Sequence, residues 1–184
     1  MLEDEKQLIE KACGGEPEAF GLLYDHYLPK IYRFVLLKVG QREEAEDLTH
    51  QAFLRAWEHI PRYNDQGFPF SSWLYRIAKN IIIDHYRAFD KRKRDVDLED
   101  VMEQLIDTES VTAEKNLDLK FDMEHLMKAI EHLKDTEQDV IIMRFVEDLP
   151  HEEVATHIGK SVGATKLIQH RALKNLKSIL SSNR

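Results

Sequence analysis

Residues 68–94 read FPFSSWLYRIAKNIIIDHYRAFDKRKR, and the fold turns on how this stretch is read. Aromatic residues surround Pro69 at its start (Phe68, Phe70, then Trp73 and Tyr75), and Arg87, Lys91, Arg92, Lys93 and Arg94 crowd its end. Between them Trp73, Leu74, Ile77, Ile81 and Tyr86 recur at helical spacing, which predicts a helix with one buried side. Ser71 or Ser72 is expected to cap it, a hydroxyl accepting from an otherwise orphaned backbone N–H. The same spacing turns Arg76, Lys79, Asn80 and Arg87 outward. Aromatic faces that stack on an unpaired base, beside cations that neutralise phosphate, suit opened or single-stranded nucleic acid. A core helix with a solvated charged tail would explain the same string, so the rest of the chain has to decide.

Immediately upstream, Pro61 ends a helix and RYNDQGFPF forms a loop whose Tyr63, Phe68 and Phe70 are unusual for a plain surface turn. They imply packing or base contact. Residues 43–60 read as the preceding helix, with Ala45, Leu48, Ala52, Trp57 and Ile60 buried. Asp47, His50, Gln51, Leu54, Arg55 and Glu58 lie on or near its other side, at spacings that keep them neighbours. Further back, residues 3–13 form a short helix stopped by Gly14-Gly15, and Glu16-Pro17-Glu18 opens another. Phe20, Leu23, Tyr24, Tyr27, Ile31, Phe34, Val35 and Leu37 give that helix a broad apolar stripe, which Pro29 is expected to bend or interrupt.

Downstream, residues 95–118 lack periodicity and are rich in Asp and Glu, which reads as a flexible acidic linker with a short helical turn near 101–106. Such a segment is a solubilising spacer, or a chain that occupies a basic channel on a partner. Helical pattern resumes at Phe121, Leu126, Met127, Ile130 and Leu133. Thr136 resembles an N-cap for residues 137–146, with Val140, Ile141, Met143 and Phe145 on the buried side, and Leu149-Pro150 breaks that helix. A short helix at 151–158, a glycine-containing turn and a basic helix at 164–180 then form a helix-turn-helix pattern. Val154, Ala155, Ile158, Ile168, Ala172, Leu173 and Leu176 supply its expected core. Lys166, Gln169, His170, Arg171 and Lys174 are left to reach a major groove and its phosphates.

The expected architecture is therefore all-α: residues 1–94 and 119–184 form two small helical domains joined by the acidic linker. The 184-residue chain carries a net charge of −8, an odd sum for a nucleic-acid binder, but the charge alternates basic, acidic, basic along the chain. Residues 160–184 contain no Asp or Glu at all. No apolar run is long enough to cross a bilayer and the acidic, amphipathic start is unlike a signal peptide, so a cytoplasmic protein without membrane insertion is expected. Cys13 is alone and forms no intrachain disulfide. The string HEEVATH spaces His151 and His157 six apart, whereas a zinc-binding pair on one helical face needs a spacing of four. No metal site, cofactor site or catalytic set is expected, and the chain reads as a binding protein rather than an enzyme.

AEDLTHQAFLRAW (residues 45–57), FSSWLYRIAKNIIIDHYR (70–87) and the segment 133–176 together resemble the extracytoplasmic-function group of bacterial sigma factors, over nearly the whole chain and in the family's order. The resemblance implies a dissociable subunit that gives RNA polymerase promoter recognition and strand opening. Asp47, His50, Gln51, Leu54 and Arg55 would dock on the polymerase β′ clamp helices, and the C-terminal domain would meet the β flap. Tyr63, Phe68, Phe70, Trp73, Arg76, Lys79, Asn80, Asp84 and Arg87 would recognise and melt the −10 element, holding a flipped base at the loop. Ser161, Lys166, Gln169, His170, Arg171 and Lys174 would serve the −35 element, and an anti-sigma factor is an expected partner. The sequence departs from the family at His50 and Gln51, where Gln and an acidic residue are usual, and at Ile168 and Leu173, where Arg is frequent. With Asn183-Arg184 closing the chain, a two-domain protein of minimal type is expected. A stand-alone helix-turn-helix regulator would account for residues 133–180 but gives no reason for the aromatic and basic segment 63–94.

Overall fold

The computed structural model describes residues 4–64, 67–88, 123 and 125–182; the expected linker, Phe121 and the basic run Lys91–Arg94 lie outside the described residues. These residues are helical, with no strand among them, as the sequence predicts. The chain divides into two compact units, one of Met1–Val39 with Glu43–Lys93 and one of Gly40–Arg42 with Arg94–Arg184.

In the first unit α1 (Glu5–Cys13) stops at two glycines, Gly15 taking the left-handed φ of +87° that favours glycine. The helix α2 (Pro17–Val39) runs through Pro29, which stays exposed, so the expected interruption does not occur. From Phe34 to Val39 every residue is buried, because α2 is enclosed on all sides rather than along one stripe. The helix α3 (Arg42–His59), with Ala45, Leu48 and Ala52 buried, meets α2 through the ring pairs Tyr24–Phe53 and Phe20–Trp57. Against α2 also packs α4 (Phe70–Ala88), with Leu74, Tyr75, Ala78 and Ile81 buried. Phe34 and Tyr75 meet nearly edge to face, centroids 5.2 Å apart and planes at 76°. Such a pair adds about 0.5–1.5 kcal/mol to the apolar area it buries. The Tyr86 hydroxyl donates to the Lys38 carbonyl at 2.9 Å, joining the ends of α4 and α2.

The start of α4 differs from expectation. Its first residue is Phe70, and Ser71 and Ser72 lie within the first turn, each only 6% exposed, rather than ahead of it as caps. The turn is closed instead by the Ser72 N–H donating to the Pro69 carbonyl at 3.0 Å.

The second unit holds a short helix α5 (residues 125–131), α6 (Asp135–Ile141), a π turn (Ile142–Val146), α7 (His151–Ile158) and α8 (Val162–Ser182). Helix α6 begins ahead of the predicted Thr136 cap, and the Glu137 carboxylate accepts from the Lys134 N–H at 3.3 Å. The π turn corrects a second expectation. Its widened hydrogen bond, Glu147 N–H to Ile142 carbonyl at 3.1 Å, shifts the helical phase and leaves Phe145 exposed instead of buried. Val140, Ile141 and Met143 are buried as expected, with Met127, Ile130, Leu133, Val154, Ala155, Ala172 and Leu176. Leu173, expected in this core, is 41% exposed. Deep between α6 and α7, His157 Nε2 lies 3.9 Å from Asp139 Oδ2, with side chains 1% and 0% exposed.

Candidate nucleic-acid interface

The helix-turn-helix is built by two local devices. Gly159 ends α7 in the left-handed conformation (φ +65°), and the Lys160 N–H folds back to the Ala155 carbonyl at 2.9 Å. Ser161 then caps α8: its Oγ accepts from the Ala164 N–H at 3.2 Å. Ser161, among the residues expected to serve DNA, thus also sets the start of α8.

Along α8, Lys166, His170, Arg171 and Lys174 are exposed. Gln169 is not part of that exposed set. It is half-buried, and His151 Nε2 donates to its Oε1 at 2.8 Å, pinning α8 to α7. Asn175 adds a second tie, donating to the Glu137 carboxylate of α6 at 3.3 Å. Leu167, which periodicity did not single out, stands 67% exposed among the cations.

In the first unit, Asp47, His50, Gln51, Leu54 and Arg55 are all exposed on α3. Gln51 Nε2 donates to Asp47 Oδ2 at 2.8 Å, and Leu54, 59% exposed, supplies an apolar centre. On α4, Arg76, Asn80, Asp84 and Arg87 are exposed along one side, with Lys79 half-buried beside them. Asp84 joins the two helices: its carboxylate lies 3.7 Å from Arg55 and 3.9 Å from Arg87.

The loop aromatics divide into two kinds. Phe68 is 52% exposed, whereas Phe70 is 3% exposed and belongs to the core. Tyr63, Phe70 and Trp73 form a ring cluster with centroids 5.1–5.4 Å apart, and Tyr27 of α2 adds a fourth ring 5.7 Å from Phe70. Phe70 thus holds Tyr63 and Trp73, both half-buried, rather than reaching solvent itself. Beside Phe68 a cavity of about 430 Å³ opens toward α1, lined by Lys6, Glu10 and Cys13 together with Tyr63 and Phe70. Burial and the neighbouring Glu10 carboxylate raise the Cys13 thiol pKa above its ordinary value. Among the described residues no group of three or more His, Cys, Asp or Glu side chains could hold a metal ion, and no helix is long and apolar enough to cross a membrane.

The two units thus carry an aromatic and cationic helix in one and a helix-turn-helix in the other. Residues 23–102 match the family described as Sigma-70 region 2, and residues 129–178 match Sigma-70, region 4. The chain is 35% identical over 176 residues to the ECF RNA polymerase sigma factor BldN of Streptomyces coelicolor, covering 95% of this chain and 65% of that protein. It is 30% identical over 186 residues to the ECF RNA polymerase sigma factor SigW of Bacillus subtilis, covering 95% and 96%. The fold is that of CnrH, solved in complex with the cytosolic domain of CnrY (TM-score 0.70, 21% identity, 98% and 99% coverage). It is likewise that of the sigma factor RpoE from Bartonella quintana, solved in complex with the anti-sigma factor NepR (TM-score 0.63, 22% identity, 90% and 98% coverage). The chain belongs to the extracytoplasmic-function sigma factors of the sigma-70 family.

Proposed function

We propose that this sigma factor works by binding alone, lending core RNA polymerase the recognition of paired −10 and −35 elements and the opening of the strands at the −10 element. The observation that carries the reading is the junction at Asp84. It places the exposed face of α3, with Leu54 at its centre, directly beside the cationic side of α4. The α3 face docks on the β′ clamp helices, and α4 with Phe68 then lies where the −10 strands separate. Phe68 stacks on an unpaired base while Tyr63 and Trp73, wedged by Phe70, hold the loop in place. Arg76, Lys79 and Arg87 draw the phosphates, and Asn80 offers edge hydrogen bonds.

The second unit meets the β flap and sets Lys166, His170, Arg171 and Lys174 in the major groove of the −35 element. Between the two units, residues 95–118 thread as an acidic segment toward the channels of the polymerase. The protein acts in the cytoplasm, and an anti-sigma factor holds it inactive, as the pairing of RpoE with NepR suggests by analogy. The net charge of −8 accords with a subunit that binds promoter duplex weakly until polymerase engages it.

The test is reconstituted transcription: purified protein added to sigma-free core polymerase on genomic fragments, with starts mapped. Specific new starts sharing two upstream motifs support the reading. Tight duplex binding by the protein alone, with no core association and no starts, overturns it in favour of a stand-alone regulator.

A further inference from the structure

Among the described residues no large apolar side chain is more exposed than Leu167. Single exposed leucines are ordinary on protein surfaces, so exposure alone says little. Its surroundings say more. Leu167, His170, Arg171 and Lys174 follow the i, i+3, i+4, i+7 spacing of one helical ridge, and all four are exposed. No acidic residue occurs from Lys160 to the end of the chain, so this ridge suits a polyanion. Leu167 is also near the start of the second helix of a helix-turn-helix, the part that meets base edges.

Gly163 gives an independent indication. It lies four residues before Leu167 on the same side, in the first turn of α8, without a positive φ. A Cβ built there meets nothing within 4 Å, so the protein's own packing does not require glycine. The exposed glycine leaves this part of the helix surface open to an external backbone.

Leucine carries no hydrogen-bond donor or acceptor. The feature a base pair offers it in the major groove is the 5-methyl group of thymine. We infer that Leu167 is a specificity-determining residue that packs on a thymine methyl in the −35 element, while His170 and Arg171 contact its neighbours and Gly163 lets the DNA backbone come close. This rests on the sigma reading above and adds to it the identity of one base.

The test uses holoenzyme assembled from core polymerase and the full chain, on a promoter taken from the mapped starts. Each thymine of the upstream element is replaced in turn by deoxyuridine, which removes the methyl and keeps the pairing edges. At one position the wild-type holoenzyme loses about fourfold in binding, the worth of one buried methyl group. Leu167→Ala lowers binding to the thymine promoter by at least that factor, and thymine and uracil then bind alike. Uracil tolerated by wild type at every position, or discrimination retained in full by Leu167→Ala, overturns the assignment. The uracil series on wild type needs no variant to fold. Absence of any mapped start overturns the sigma reading itself and this assignment with it, a result distinct from starts that ignore the methyl.

Discussion

The Arg55 guanidinium lies 3.7 Å from the Asp84 carboxylate, and Arg87 stands 3.9 Å from that carboxylate's other oxygen. All three side chains are about half exposed or more, so each pair contributes at most about 1 kcal/mol. Their importance is positional, since they join the exposed sides of α3 and α4. Asp84→Asn is expected to change the free energy of unfolding by less than about 1 kcal/mol. It releases two arginines toward DNA, so single-stranded DNA binds more tightly, with a salt slope steeper by about 0.7 per added phosphate contact. Fluorescence anisotropy across a salt series checks both.

Leu54 is the apolar centre of the α3 face and makes little contact with the core of its own unit. Leu54→Asp is expected to leave the melting temperature unchanged and weaken association with core polymerase at least tenfold, as for a buried interface anchor worth about 1.4 kcal/mol or more. Competition against another sigma factor for a limited amount of core measures the loss.

Phe68 and Phe70 are two residues apart and predict opposite outcomes. Phe70→Ala removes a ring packed on Tyr27, Tyr63 and Trp73, and is expected to cost about 3–5 kcal/mol in urea unfolding. Phe68→Ala costs little stability, because half of that side chain is already in water. It is expected instead to reduce strand opening, read as permanganate reactivity of unpaired promoter thymines.

Cys13 has a raised thiol pKa, through burial first and the Glu10 carboxylate second. A raised pKa means less thiolate at any given pH, and thiolate is the reactive form. Iodoacetamide at pH 8 is therefore expected to alkylate Cys13 more slowly than a free cysteine peptide, with the rate rising at higher pH than the peptide's. Glu10→Gln removes one cause and speeds the reaction. Mass spectrometry of quenched samples measures the rates.

At the start of α8, Ser161→Ala removes the cap on the Ala164 N–H and is expected to destabilise the second unit by about 1 kcal/mol. Gly163→Ala acts in the reverse sense. It stabilises by up to about 1 kcal/mol because nothing crowds the new methyl, yet weakens promoter binding. Thermal unfolding and promoter affinity, measured on the same pair of variants, separate folding from recognition.

What the sequence revealed follows what helical periodicity can carry. The stripes on α3 and α4, the punctuation at Gly14-Gly15 and the break at Pro150 were readable because each is local. Phe145 was misjudged because a π turn changes the period within a single turn. The tie from His151 to Gln169 was not foreseen, because the two lie 18 positions apart, where no local pattern reaches. Phe70 looked like its neighbour Phe68, and only the rings of Tyr27 and Trp73 distinguish them. The cavity toward α1 had no signal at all, since Lys6, Glu10 and Cys13 meet the loop only in three dimensions.

The bond between His151 and Gln169 spans the two helices of the helix-turn-helix, so the tilt of α8 is established before any groove is encountered. A rigid reader of this kind can be given a new vocabulary without a new grammar. Side chains at 166, 167, 170 and 171 are exposed and so open to exchange without disturbing that tie, and on the proposed reading each exchange alters which base is favoured. Duplicated copies of such a chain could therefore diverge in the promoters they serve through a handful of surface substitutions, with no renegotiation of the fold.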